Sequence, residues 1–145
     1  MTVLDTQAVV AALRGEPAAA EVEALLRDPS AACSITAINL GEALDVLTRV
    51  MGIPLDEVEE KLRWLIVGGL AVVGIDEAIG LEAGRLHAEH YHRTRRPLSL
   101  ADCVALAAAS LRDEPLATSD PALIITASEI GCATHPLPDT RGIRP

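Results

Sequence analysis

Aromatic side chains are almost missing from this sequence, which has no Phe, one Trp and one Tyr. Modules that read nucleic acid by stacking bases on aromatic platforms, such as RNA-recognition and OB-type domains, are thereby excluded. Bases are scarce too. Twelve Lys and Arg stand against 21 Asp and Glu, a formal net charge of −9. That balance argues against coating nucleic acid by bulk charge, which depends on neutralising phosphates with Lys and Arg, and leaves a local basic patch open.

Cysteine is limited to Cys33, Cys103 and Cys132, an odd and widely separated set without C-x-x-C spacing. Neither a disulfide framework nor a zinc ribbon is expected, and a reducing cytoplasm is the expected location. The start, Met1-Thr-Val-Leu-Asp5, has no basic leader, and the longest uncharged apolar run, Trp64 to Ile75, is shorter than the roughly 18–20 residues a bilayer span needs. A soluble, unexported protein with no membrane partner is the expectation. Gly68-Gly69 lacks the Lys and the spacing of a phosphate-binding loop, so nucleotide cofactors are unsupported.

What is present is 145 residues, half of them apolar, enough for one domain over residues 1–145 with a core that needs no disulfide or zinc. Gly and Pro divide the chain into short apolar runs and longer amphipathic segments. Strands are expected at 2–4, 32–35, 70–75, 115–118 and 132–135, the third as a buried strand. Helices are expected at 6–14, 17–27, 36–51, 54–67, 76–94, 99–112 and 121–131. This alternation predicts an α/β/α sandwich, a mostly parallel sheet of about five strands with helices on both faces and ligands beyond the carboxyl ends of the strands.

Two acids fall at those ends. Asp5 follows the first strand and Asp120 the fourth, and both also suit helix N-caps. Asp102 lies three residues after Ser99, a spacing that suits a capping box. Glu42 sits mid-helix on the face of Ile38, Asn39 and Val46, where a solvated face is its plain alternative. Taken jointly, the four acids line one crevice if the sheet forms. Clustered carboxylates raise each other's pKa, and a divalent cation relieves them; all-oxygen ligation selects Mg²⁺ or Mn²⁺. That is phosphodiester chemistry in outline.

These motifs resemble the PIN (PilT N-terminus) domain, and within it the VapC-type toxins of toxin-antitoxin pairs. Val3-Leu4-Asp5-Thr6 is similar to the family's first strand and acid, and Ile38-Asn39-Leu40-Gly41-Glu42-Ala43-Leu44 to its helix Glu. Ser99-Leu-Ala-Asp102 with the alanine-rich helix behind it resembles the third acid, and Leu116-Ala-Thr118-Ser-Asp120 the Thr-x-Asp strand end. Members often carry a further acid and an aromatic after the last motif, where Pro121, Ala122 and Leu123 stand here. The resemblance implies a metal-dependent ribonuclease, usually a homodimer held inactive by a cognate antitoxin. Asp5 and Asp102 are then direct ligands, Glu42 and Asp120 act through water or orient the nucleophile, and Thr6 and Thr118 supply supporting hydroxyls. A metal-activated water would attack the scissile phosphate in line. A nuclease or phosphatase without an antitoxin, and a non-catalytic protein-binding module, are the competing readings.

Arg93-Thr94-Arg95-Arg96 is the strongest basic run. Arg93, Arg95 and Arg96 either grip an RNA backbone or complement a helix C-terminus. His87 and His90 have a spacing that can hold zinc but lack further ligands, and a surface helix is the alternative. Cys103 reads as a small buried hydrophobe.

Overall fold

The computed structural model describes every residue apart from Pro29. Strands β1 (Thr2–Leu4), β2 (Cys33–Thr36), β3 (Ala71–Val73), β4 (Leu116–Thr118) and β5 (Thr134–Pro136) are joined by helices α1 (Thr6–Arg14), α2 (Ala19–Arg27), α3 (Ala37–Asp45), α4 (Leu55–Val67), α5 (Glu77–His90), α6 (Leu100–Leu111) and α7 (Pro121–Glu129). The sheet runs β3-β2-β1-β4-β5 and every pairing is parallel. From β1 the chain first builds outward through β2 and β3, then returns to the opposite side of β1 for β4 and β5. The order therefore reverses between β1 and β4, and a crevice opens beyond their carboxyl ends.

Alternation along each strand divides the core. Val3 and Leu116 meet α5, α6 and α7 on one face, while Leu4, Ile35 and Ala117 meet α1, α2, α3 and α4 on the other. Side chains of period two on strands buried from both sides require both clusters. Helix α6 is buried over seven consecutive residues, Cys103 to Ala109. Its composition allows it: this stretch is apolar all round, with Ala at four of the seven positions, and is enclosed by the sheet, α3, α5 and α7.

Several element boundaries differ from the sequence expectation, for local reasons. β3 is an edge strand, with Ala71 and Val72 exposed and Val73 buried, rather than a buried one. The helix expected to run through residue 51 changes pitch at Val46–Val50, a π-helical stretch in which the Met51 amide bonds the Val46 carbonyl at 3.1 Å. α5 stops at His90 instead of continuing to residue 94. His92 and Arg96 exchange backbone bonds of 2.9 and 3.0 Å, and the His92 ring accepts the amides of Thr94 and Arg95, giving these groups partners outside a helix. Strand β5 begins two residues later than expected, because its partners on β4 pair from Thr134 onward. Among the described residues no helix is long and apolar enough to cross a membrane.

Trp64 shows that residue type alone does not locate the core: the single Trp is 67% exposed, whereas Leu106 is fully buried. Leu106→Ala is expected to cost about 2–5 kcal/mol in urea unfolding, and Trp64→Ala to stay within roughly 0.5 kcal/mol of the parent. Equal losses at the two positions would contradict this division of core and surface.

Candidate active site

Asp5, Glu42, Asp102 and Asp120 reach a single cleft of about 230 Å³, lined also by Thr6, Gln7, Val46 and Ser99. Four different elements bring them there. Asp5 ends β1 and caps α1, its Oδ1 accepting the Ala8 amide at 2.7 Å. Its Oδ2 accepts the Thr118 hydroxyl, and Thr118 Oγ1 in turn accepts the Asp120 amide at 3.0 Å. Thr118 thus ties the two strand-end acids together across the switch point. Asp120 caps α7 by accepting the Ala122 amide at 2.7 Å.

Ser99 and Asp102 form a reciprocal capping box at α6. The Ser99 amide donates to Asp102 Oδ2 at 2.7 Å and the Asp102 amide to Ser99 Oγ at 3.0 Å. The capping reading of the three Asp residues and their place in the cleft are therefore compatible, since each cap spends only part of its carboxylate. Among the described residues, Asp102 Oδ1, Asp120 Oδ2 and Glu42 Oε1 have no hydrogen-bond partner.

Glu42 is half-buried, held by a chain of side chains instead of standing on a solvated face. Thr6 Oγ1 donates to Glu42 Oε2 and accepts from Asn39 Nδ2 at 3.1 Å. Asn39 Oδ1 accepts the hydroxyl of Thr36, the N-cap of α3, which accepts the Asn39 amide at 3.3 Å. Asn39 is fully buried, and sequence reasoning gave it no role. The available signal was its spacing, three residues from both Thr36 and Glu42, which puts the three on one side of the first turns of a helix. Gln7 and the lining position of Ser99 were not assigned from the sequence either.

Asp5 is 3% exposed. Burial pushes its carboxyl up to about 7, against the opposing hydrogen bonds from Thr118 and Ala8, and the charges of Asp102 and Asp120 push the same way. Burial also raises Asp102, helped by Asp120 and Glu42 and opposed by the Ser99 contacts. Neither Lys nor Arg lines the cleft. Oxygen donors only, net negative charge and carboxylates that resist ionisation together fit a hard divalent cation. Among the described residues no three His, Cys, Asp or Glu side chains are already close enough to hold an ion as they stand.

The other candidates lie elsewhere. Arg93, Arg95 and Arg96 occupy the turn after α5 rather than a helix end, and Arg96 is paired in a fork to Glu129 at 2.6 and 2.7 Å. His90 Nδ1 faces the same carboxylate at 3.3 Å, and His87 stacks on Tyr91. Cys103 is buried, which pushes its thiol to about 11 and disfavours the nucleophilic thiolate at neutral pH.

The Asp5 shift has a direction that can be measured. Between the unfolded value of 3.8 and about 7 the folded state keeps a proton that the unfolded chain has lost. Stability of the metal-free protein should therefore fall as pH rises through that window and level off above it. Subtracting the thermal profile of Asp5→Asn isolates this contribution. A difference that is flat between pH 4 and 7, or rises with pH, would contradict the assignment.

No curated protein matches the chain, but the sequence profile described as the PIN domain matches residues 2–128. Solved structures share the fold. VapC20 of Mycobacterium tuberculosis, described as a sarcin-ricin loop cleaving toxin, superposes with a TM-score of 0.69 over 100% of both chains at 15% identity. FitAcB from Neisseria gonorrhoeae gives 0.65 at 19% identity, covering 92% of this chain and 96% of that one. A toxin-antitoxin complex from Klebsiella pneumoniae gives 0.62 at 21% identity over 83% and 87%. With its motifs in order, the profile matched over most of its length and the sheet order in place, the chain belongs to the PIN domain family.

Proposed function

We propose that this protein is a metal-dependent endoribonuclease and the toxin of a type II toxin-antitoxin pair. The observation that carries the reading is the convergence of four carboxylates from four elements on one cleft that contains no base. Membership of the PIN family and the likeness to VapC20, described as cleaving the sarcin-ricin loop, support RNA as substrate. A divalent ion, Mg²⁺ or Mn²⁺, supplies two things when bound: a water of lowered pKa and compensation for negative charge on the phosphate.

In this reading Asp5 and Asp102 would hold the ion directly, and Glu42 and Asp120 would act through water or orient the nucleophile. The bond from Thr6 holds one oxygen of Glu42 and leaves the other unbonded, while the Ala8 amide and Thr118 together fix the orientation of the Asp5 carboxylate. Burial pushes the Asp5 carboxyl up to about 7, and a bound cation would favour its ionised form. The protein's own contribution is placement: caps and hydroxyls orient the acids before substrate arrives.

The partner reading, a cognate antitoxin on a homodimeric toxin, is supported by toxin-antitoxin complexes among the structural neighbours. It is supported too by apolar surface: Trp64 and Val67 of α4 are 67% and 79% exposed beside a groove of about 350 Å³ between α1, α2 and α4. The competing protein-binding module draws on the capping roles of Asp5, Asp102 and Asp120. Glu42, which caps nothing, separates the two.

Purified protein free of any partner should cut total RNA into discrete fragments with Mg²⁺ or Mn²⁺ and not in EDTA. Asp102→Asn, which keeps shape and an acceptor for the Ser99 amide, and Glu42→Gln should each lower the rate by about 100-fold or more. Cleavage that survives EDTA and both variants, or no cleavage with either metal, overturns the proposal. Asn39→Ala should lower activity roughly 10–100-fold through Thr6 and Glu42, without touching the cleft. Activity unchanged in Asn39→Ala would show that the relay does not orient Glu42.

A further inference from the structure

Positive charge is allotted unevenly on this acidic chain. Of its 12 Lys and Arg, ten lie within 4.0 Å of an acid, and 12 − 10 leaves two without an acidic partner among the described residues, Arg93 and Arg95. Both sit in one turn, and that turn is built rather than loose. The His92–Arg96 bridge closes it, and the His92 ring accepts the amides of Thr94 and Arg95 at 3.3 and 3.2 Å. Arg96 anchors it to Glu129 on α7. The run of three arginines thus divides by role, one spent on fastening the turn and two presented by it.

Tyr91, the only tyrosine, stands at the base of the same turn. It is 48% exposed and stacked on His87, ring centres 4.8 Å apart. Together with Glu89, His90, His92, Arg95 and Arg96 it lines a cleft of about 340 Å³, and Arg93 lies outside that lining in the same turn. Arg96 is three residues before Ser99, which lines the acid cleft, so their Cα atoms are at most about 11 Å apart.

We propose that Tyr91, Arg93 and Arg95 form a binding subsite for single-stranded RNA beside the acid cleft, Tyr91 stacking on a base and the two guanidiniums holding phosphates. The subsite rests on the ribonuclease reading and adds to it the means by which a cleft of four carboxylates retains a polyanion. An aromatic face next to unpaired guanidiniums recognises a base with its flanking phosphates, a pairing that an acidic peptide does not offer.

The test is the fluorescence anisotropy of a labelled 12-nucleotide single-stranded RNA with the full chain in EDTA, so that binding is read without cleavage. Arg93→Ala with Arg95→Ala should weaken binding about tenfold or more at low salt and reduce the salt slope by about 1.4, or 0.7 per phosphate contact. Tyr91→Ala should weaken binding about fivefold or more with the slope unchanged, and Tyr91→Phe should bind like the parent. Arg63→Ala, on α4, serves as the charge control, and thermal unfolding confirms that each variant is folded. Double and Tyr91→Ala variants within twofold of the parent overturn the subsite, as does a parent that binds no RNA. Equal affinity for a 12-residue polyglutamate, lost in the double variant, would assign the arginines to an acidic protein segment and overturn it too. Tight binding in EDTA without cleavage in metal tells against the ribonuclease reading and leaves the subsite standing.

Discussion

The carboxylate of Asp5 is buried at the end of the central strand, and the rest of the site is arranged around that fact. A carboxylate taken from water and left near other negative charge is unfavourable unless its oxygens find donors. Here one donor is local, the Ala8 amide at the start of α1, and the other comes from Thr118, distant in sequence and adjacent only because β1 pairs with β4. Even so the carboxyl titrates near neutrality, so hydrogen bonding offsets only part of the cost of burial. The folded protein carries that remaining cost, which a divalent cation would relieve in the proposed reading.

Around Asp5 the same residues serve stability and placement. Asp5, Asp102 and Asp120 cap three helices, and the positive ends of those helices converge on the cleft. The Ala-rich, wholly apolar stretch Cys103–Ala109 lets α6 be enclosed by the sheet and three neighbouring helices while Asp102, in its first turn, lines the cleft. Glu42 is held differently, by Thr36, Asn39 and Thr6, a chain joining the ends of β1 and β2 to the middle of α3.

Charge is partitioned in a corresponding way. The cleft collects acids without bases, while the turn after α5 carries Arg93 and Arg95, which pair with no acid among the described residues, and the two places are close along the chain. A helix continued through residue 94 would have spread those arginines around its circumference. The His92 ring prevents it by supplying the Thr94 and Arg95 amides with a different acceptor.

Strand and helix alternation, the parallel sheet and the meeting of four acids in one cleft were legible in the sequence, because each depends on period, on capping chemistry or on motifs that local residues carry. β3 was misjudged as buried because an apolar run does not reveal whether a strand has one neighbour or two. The end of α5 was missed because a His ring competing for backbone amides leaves no mark in periodicity. Asn39 was passed over because its worth lies in Thr6, a residue brought to it by tertiary contact. The sequence by itself determined which residues are charged, which acids suit helix caps, and that a sheet would form. Only the tertiary structure decided that Asp5 would be buried beside Thr118 and that Glu42 would be held by Asn39 through Thr6. The reason is physical: desolvation and hydrogen bonding across strands depend on which segments meet, and that is settled by packing both faces of the sheet at once.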